Sequence, residues 1–229
     1  MCSSFLQLVL SLLIISAILI VCLNANKLIY HANNLALIKE INNLLHNIAQ
    51  FKTKYHYYPG DYPFANTLWY GNSGNGDGYV RDYSESLYAW QHMENANLTH
   101  LNFIYETRSY AKILKNMIKS KYVNCGYQIL ADRKLNNLHY YFTNRINVLR
   151  VAQDKLFGNL SRSCLSSYRT LLLDKKIDDG KPVSGMFFAD TGYNNISKQK
   201  EYCVCKKNNQ EYFYCGNNNI NCIVEIKIP

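Results

Sequence analysis

The densest group of side chains able to do chemistry lies between residues 72 and 85. Asn72, Asn75, Asp77, Asp82 and Glu85 bring oxygen donors to the glycine-rich run Gly74-Asn75-Gly76-Asp77-Gly78. Hard oxygens on a pliable loop are the ligands that Ca²⁺ takes. With Asp77 at loop position five, positions one and twelve are Ser73 and Ser84, so the EF-hand register fails. Two readings stand: a looser calcium site on Asn75, Asp77, Asp82 and Glu85, or a glycine turn that needs no ion. The glycines favour the second. No other cofactor is expected.

Sulfur is the second chemical resource. Cys2 and Cys22 flank an apolar segment, and six more follow: Cys125, Cys164, Cys203, Cys205, Cys215 and Cys222. Six thiols in a small domain suit a disulfide framework made in an oxidising compartment, with 15 pairings open. Zinc is the competitor. The spacing of Cys203, Cys205, Cys215 and Cys222 lacks the paired C-x₂-C knuckles of a structural zinc site, which favours disulfides.

Catalytic signatures are missing. His31, His46, His56, His92, His100 and His139 form no metal-binding spacing, and neither a G-x-S-x-G elbow nor a phosphate-binding loop occurs. No enzyme activity is expected. The chain of 229 residues carries a net charge of +9 with 48% hydrophobic residues, 20 tyrosines and 28 asparagines. That composition supports a packed core and argues against wholesale disorder. Lys112, Lys115 and Lys119 would share one helical face; a solvated face is favoured there over contact with nucleic acid.

These residues need elements to hold them. Residues 1–26 contain no charged side chain, and Phe5 to Leu23 is apolar except for Gln7, Ser11 and Ser16. About 20 such residues span a bilayer core, so residues 1–26 read as a single-pass membrane anchor. From Lys27 to Tyr55 there is no Pro or Gly, and Leu28, Ala32, Leu35, Ile38, Ile41, Leu45, Ile48, Phe51 and Tyr55 recur at helical spacing. One helix is therefore predicted from Phe5 to about His56, ending at Pro59-Gly60, with 27–57 as its amphipathic half. Residues 58–229 form the globular domain. It should hold a helix over 82–98 with Leu87, Trp90 and Met93 inward, and another from Ser166/Ser167 to Leu173. Strands are expected at 126–130, 138–142, 147–151, 185–189, 212–215 and 222–228. The fold class is α+β: a long helix laid against an antiparallel sheet.

Several segments are similar to those of one family. Tyr58-Pro59-Gly60-Asp61-Tyr62-Pro63 follows the long helix; Gly74-Asn75-Gly76-Asp77-Gly78 lies in the next loop. Then come Glu85-Ser86-Leu87-Tyr88-Ala89-Trp90-Gln91-His92-Met93 and Asp174-Lys175-Lys176-Ile177-Asp178-Asp179-Gly180-Lys181-Pro182. In this order, behind an apolar helix, they resemble type IV pilins and the pseudopilins of type II secretion. The resemblance covers residues 3–95 and 164–190. It implies a pilin-like fold anchored in the bacterial inner membrane, with its domain in the periplasm or at the cell surface. It also implies assembly through the N-terminal helix, with sister subunits, a prepilin peptidase and an assembly platform as partners. Aligned to the family, Cys2 takes the place of the glycine before the cleavage site, Ser3 the first mature position and Gln7 that of the family's glutamate. The basic leader is absent. Either the natural start lies upstream of Met1, or the chain is a non-polymerising relative. The latter would be a membrane-anchored module that binds DNA, a surface or a secreted substrate.

Overall fold

The computed structural model describes residues 2–81, 83–100, 118–134, 141–156, 159–191, 202–207, 211–215 and 219–229. The chain is α+β and divides into two compact units, 1–36 and 37–229.

The first unit is helix alone. Helix α1 runs Cys2–Tyr55 and continues into the second unit. No Pro or Gly interrupts it, so every backbone N–H past the first turn finds its i−4 carbonyl. From Phe5 to Val21 its side chains are exposed: Phe5 at 71% and Val21 at 69%, with Leu6, Leu10, Leu13 and Ile18 between them. The polar exceptions turn inward on the helix. Ser11 Oγ donates to the Leu8 carbonyl and Ser16 Oγ to the Leu13 carbonyl, each at 2.8 Å.

One expectation is corrected here. Among the described residues no helix is long and apolar enough to cross a membrane. A helical span needs ~20 consecutive apolar residues. The segment from Phe5 to Val21 is interrupted by Gln7, Ser11 and Ser16. A single-pass inner-membrane anchor with a periplasmic domain is therefore not supported.

The second unit is built on an antiparallel sheet. Its strands are β1 (Gly126–Lys134), β2 (Tyr141–Leu156), β3 (Asn159–Arg162), β4 (Leu165–Ser166), β5 (Phe187–Thr191) and β8 (Ile220–Lys227). The main path is β1-β2-β8-β4; β3 pairs with β2 and β5 with β8. Strands β6 (Val204–Lys207) and β7 (Glu211–Tyr214) form a separate hairpin. Helix α2 (Ala65–Trp69) and α3 (Tyr83–Asn95) lie in the loop-rich region before the sheet, and α4 (Ser167–Ile177) precedes β5. Ser166 caps α4, its side chain accepting from the Arg169 N–H, as an N-cap serine should.

The core forms between the second-unit part of α1 and one face of the sheet. Leu37, Ile41, Leu44, Ile48 and Phe51 are buried with Tyr127, Ile129, Leu149, Val151, Val224 and Ile226. The 4-3-4-3 spacing of those α1 residues is the stripe a helix needs to bury on a sheet. Each aliphatic chain so buried stabilises the fold by about 1.5–3 kcal/mol. The helical recurrence expected from residue 28 to 55 divides in two: Ile41, Ile48 and Phe51 are buried, while Leu28, Ala32 and Leu35 are exposed. Strand β8 alternates as its sequence suggests, with Val224, Ile226 and Ile228 in the core. On its other face Ile223 packs on Ala152 and Leu160, and Glu225 pairs with Arg150.

Candidate functional site

The predicted ligand loop is held from beneath. Gly60 takes φ +97°, and a Cβ on it would collide with the Glu85 carbonyl. Gly74 must also be glycine, because its Cβ would run into the backbone of Gly60 and Asp61. These contacts press the Pro59-Gly60-Asp61 turn, the glycine loop and α3 together.

Asp61 and Glu85 fasten that loop by their carboxylates. The N–H groups of Asp77 and Gly78 donate to Oδ1 and Oδ2 of Asp61 at 3.0 and 2.9 Å. The N–H groups of Asn75 and Arg81 donate to Oε1 and Oε2 of Glu85 at 3.0 and 2.9 Å. Asn75 Oδ1 accepts from the Asp77 N–H and Asp77 Oδ1 from the Tyr79 N–H, both at 2.9 Å. Asp77 Oδ2 pairs with Arg81 Nε at 2.9 Å. The oxygens that could bind a cation thus already face N–H donors. Asp82 lies outside the described residues. Burial pushes the Asp61 carboxyl up to about 6, the Gly78 N–H works against the rise, and the neighbouring charges of Glu85 and Asp77 add to it.

His92 closes the other side. The Gly60 N–H donates to its Nδ1 at 2.9 Å, and its Nε2 lies 2.7 Å from the Asn72 carbonyl oxygen. This pair of contacts requires the neutral Nε2–H tautomer. The ring stacks on Phe51 and sits against Tyr62 and Trp69. Burial pushes its pKa down to about 4. Trp90 is a core residue whose Nε1–H donates to the Tyr127 carbonyl at 3.2 Å.

A second carboxylate group was not singled out from the sequence as a unit. Among the described residues, Asp174, Asp178 and Asp179 bring oxygens within 4.8 Å of one another. They too face donors: Tyr214 hydroxyl on Asp174 Oδ2 at 2.7 Å, the Phe187 N–H on Asp178 Oδ2 at 3.0 Å, and Ser184 Oγ on Asp179 Oδ2 at 2.6 Å. Burial raises the Asp174 pKa to about 6, against the Tyr214 and Gly180 donors. The Tyr214 hydroxyl is pushed up by burial and by Asp174. The run 174–182 signals a turn; nothing in it announces that Tyr214, forty residues on, would close it.

All six domain cysteines pair: Cys125 with Cys164, Cys203 with Cys222 and Cys205 with Cys215. The first ties the start of β1 to the entry of β4. The other two tie β6 to β8 and to β7. Zinc has no free thiol among these six.

The residues expected to act in processing and assembly sit at the start of α1. Cys2 and Ser3 belong to the helix, and the Gln7 side chain is exposed. The lysines expected to share a helical face fall mostly outside the described residues. Lys119 is described, and forms a bridge with Gly126 rather than a helical turn.

The chain matches no protein-family model, no curated protein and no solved structure.

Proposed function

We propose that the chain is a structural subunit of a pilus- or pseudopilus-like filament, joined to sister copies through the first part of α1. The observation that carries this is the unbroken exposure of apolar side chains from Phe5 to Val21. A helix that is apolar all round calls for burial on all sides. Thirteen large hydrophobic side chains stand exposed there, on the order of 1,000 Å² of apolar surface by the usual area per side chain. A stable interface takes ~800 Å² from each partner. The second unit needs no help from that segment, since its core and three disulfides are its own. The work of such a protein is assembly, not catalysis. By the resemblance, a prepilin peptidase and an assembly platform are its further partners.

The test is sedimentation velocity with electron microscopy on the full chain. Concentration-dependent polymers are expected, and Leu10→Lys with Ile14→Lys should abolish them without changing the unfolding midpoint. A chain that stays monomeric at every reachable concentration overturns the reading.

A further inference from the structure

Three places in the chain put Asn or Asp directly before glycine: Asn75-Gly76, Asp77-Gly78 and Asp179-Gly180. Such a pair is prone to cyclise, because glycine has no Cβ to shield its nitrogen. That nitrogen attacks the side-chain Cγ of the preceding residue and a succinimide ring forms. Asn75 loses ammonia in that step; Asp77 or Asp179 loses water. Water then opens the ring at either carbonyl and leaves aspartate or isoaspartate. No electrons are transferred, and water is the only co-reactant.

All three side chains are exposed, so water reaches them. The fold gives each pair the same two restraints. The side-chain Oδ1 accepts from the N–H two residues on: Asn75 from Asp77 and Asp77 from Tyr79 at 2.9 Å, and Asp179 from Lys181 at 2.8 Å. These turns hold the carbon that must be attacked. The glycine N–H groups are also committed. Gly76 donates to the Asp61 carbonyl at 3.0 Å, Gly78 to Asp61 Oδ2 at 2.9 Å and Gly180 to Asp174 Oδ1 at 3.2 Å. Asp61 and Asp174 are both fully buried. To react, the glycine nitrogen must shed its proton and turn towards Cγ. It can do neither until the buried aspartate lets go, which takes a local opening of the turn.

We infer that Asn75, Asp77 and Asp179 are sites of spontaneous backbone modification that Asp61 and Asp174 hold in check. Conversion records an opening of either turn and prevents its return. Isoaspartate adds a methylene to the main chain, which moves the glycine N–H off its acceptor. Aspartate at position 75 sets a new negative charge beside Asp77 and Glu85, whose atoms Asn75 already touches. Nothing in this chemistry depends on the filament reading.

The test incubates the full chain at neutral pH in water labelled with heavy oxygen, followed by digestion and mass spectrometry. Each conversion takes up one oxygen from the water, and isoaspartyl peptides separate from aspartyl ones. In the native parent all three sites should convert about tenfold or more slower than in the urea-unfolded parent, the factor for an opening that costs about 1.4 kcal/mol. Asp61→Ala should speed Asp77 and leave Asp179 at the parent's rate; Asp174→Ala should do the reverse. Native rates equal to or above the unfolded ones, or no conversion even in urea, overturn the inference. That comparison stands even where a variant fails to fold. A folded Asp61→Ala chain in which Asp77 converts no faster than in the parent, or in which Asp179 speeds up as much, also overturns it.

Discussion

Gly60 and His92, thirty-two residues apart, meet through a 2.9 Å hydrogen bond from the glycine N–H to Nδ1. That contact exists only while the imidazole is neutral. It makes the loop after α1 sensitive to acid. His92 is buried with a pKa of about 4, against an ordinary value of 6.5. A base whose pKa falls on folding gives stability that is full above 6.5 and is lost as the pH drops towards 4. The loss should reach about 3 kcal/mol, from ~1.36 kcal/mol per pH unit. Asp61 and Asp174 work in the opposite sense. Their carboxyls are raised to about 6, so they favour the folded state as the pH falls from 6 towards 3.8. Urea midpoints of the parent chain should therefore drop relative to those of His92→Gln as the pH goes from 7 to 4. Parallel curves would show that the ring does not titrate as its burial demands.

Asp61 should matter more for its oxygens than for its charge. Asp61→Ala strands the Asp77 and Gly78 N–H groups and should cost about 2–4 kcal/mol. Asp61→Asn keeps one acceptor, should cost less, and should remove the part of the pH dependence near 6. Chemical denaturation of both variants at pH 7 and pH 5 checks this.

Calcium should leave the glycine loop unmoved. The oxygens of Asn75, Asp77 and Glu85 already accept hydrogen bonds. Millimolar calcium or a chelator should leave Tm unchanged. A rise of several degrees with calcium, lost in Asp77→Ala, would mean that the N–H donors give way to the ion.

Arg150 and Glu225 are register partners across β2 and β8, and their side chains are 5% and 1% exposed. Removing one charge from so buried a pair should be severe: Glu225→Ala should cost about 3–5 kcal/mol. Replacing both by Met and Leu should cost far less than the sum of the single changes. An additive double-mutant cycle would refute coupling between the two.

The three disulfides should differ in weight. Cys125–Cys164 spans 39 residues and Cys205–Cys215 spans 10. On chain-entropy grounds, replacing the first pair by serines should cost roughly 1 kcal/mol more than replacing the second. Denaturation midpoints of the two double variants decide this.

Much of the fold was legible because period and composition are local signals. The reach of α1, the helix around Trp90, the cap at Ser166 and the inward row of β8 all follow from spacing within a dozen residues. Strands β3, β4 and β6 were not anticipated; β3 is a four-residue hairpin partner of β2, and β4, two residues long, takes its form from β8 far along the chain. The loop residues were legible as types but not as roles. Asp77 and Glu85 looked like ligands because sequence displays oxygens, and cannot display the N–H groups that a fold turns towards them. His92 shows in the sequence only as one of six histidines without a metal-binding spacing, since nothing near it names Gly60 and Asn72 as its partners. Leu28, Ala32 and Leu35 share the helical recurrence of Ile41 and Ile48, yet they stay exposed.

The pairing of the cysteines also decides what a protease can do to this protein. Cys125–Cys164 and Cys203–Cys222 close two rings in the chain, and Cys205–Cys215 lies nested within the second. A cut anywhere inside either ring leaves the polypeptide in one covalent piece until a reductant opens it. A cut between 165 and 202 severs it at once, because no bridge connects one ring to the other. That stretch, which contains α4 and β5, is where a single nick would part the two rings from each other.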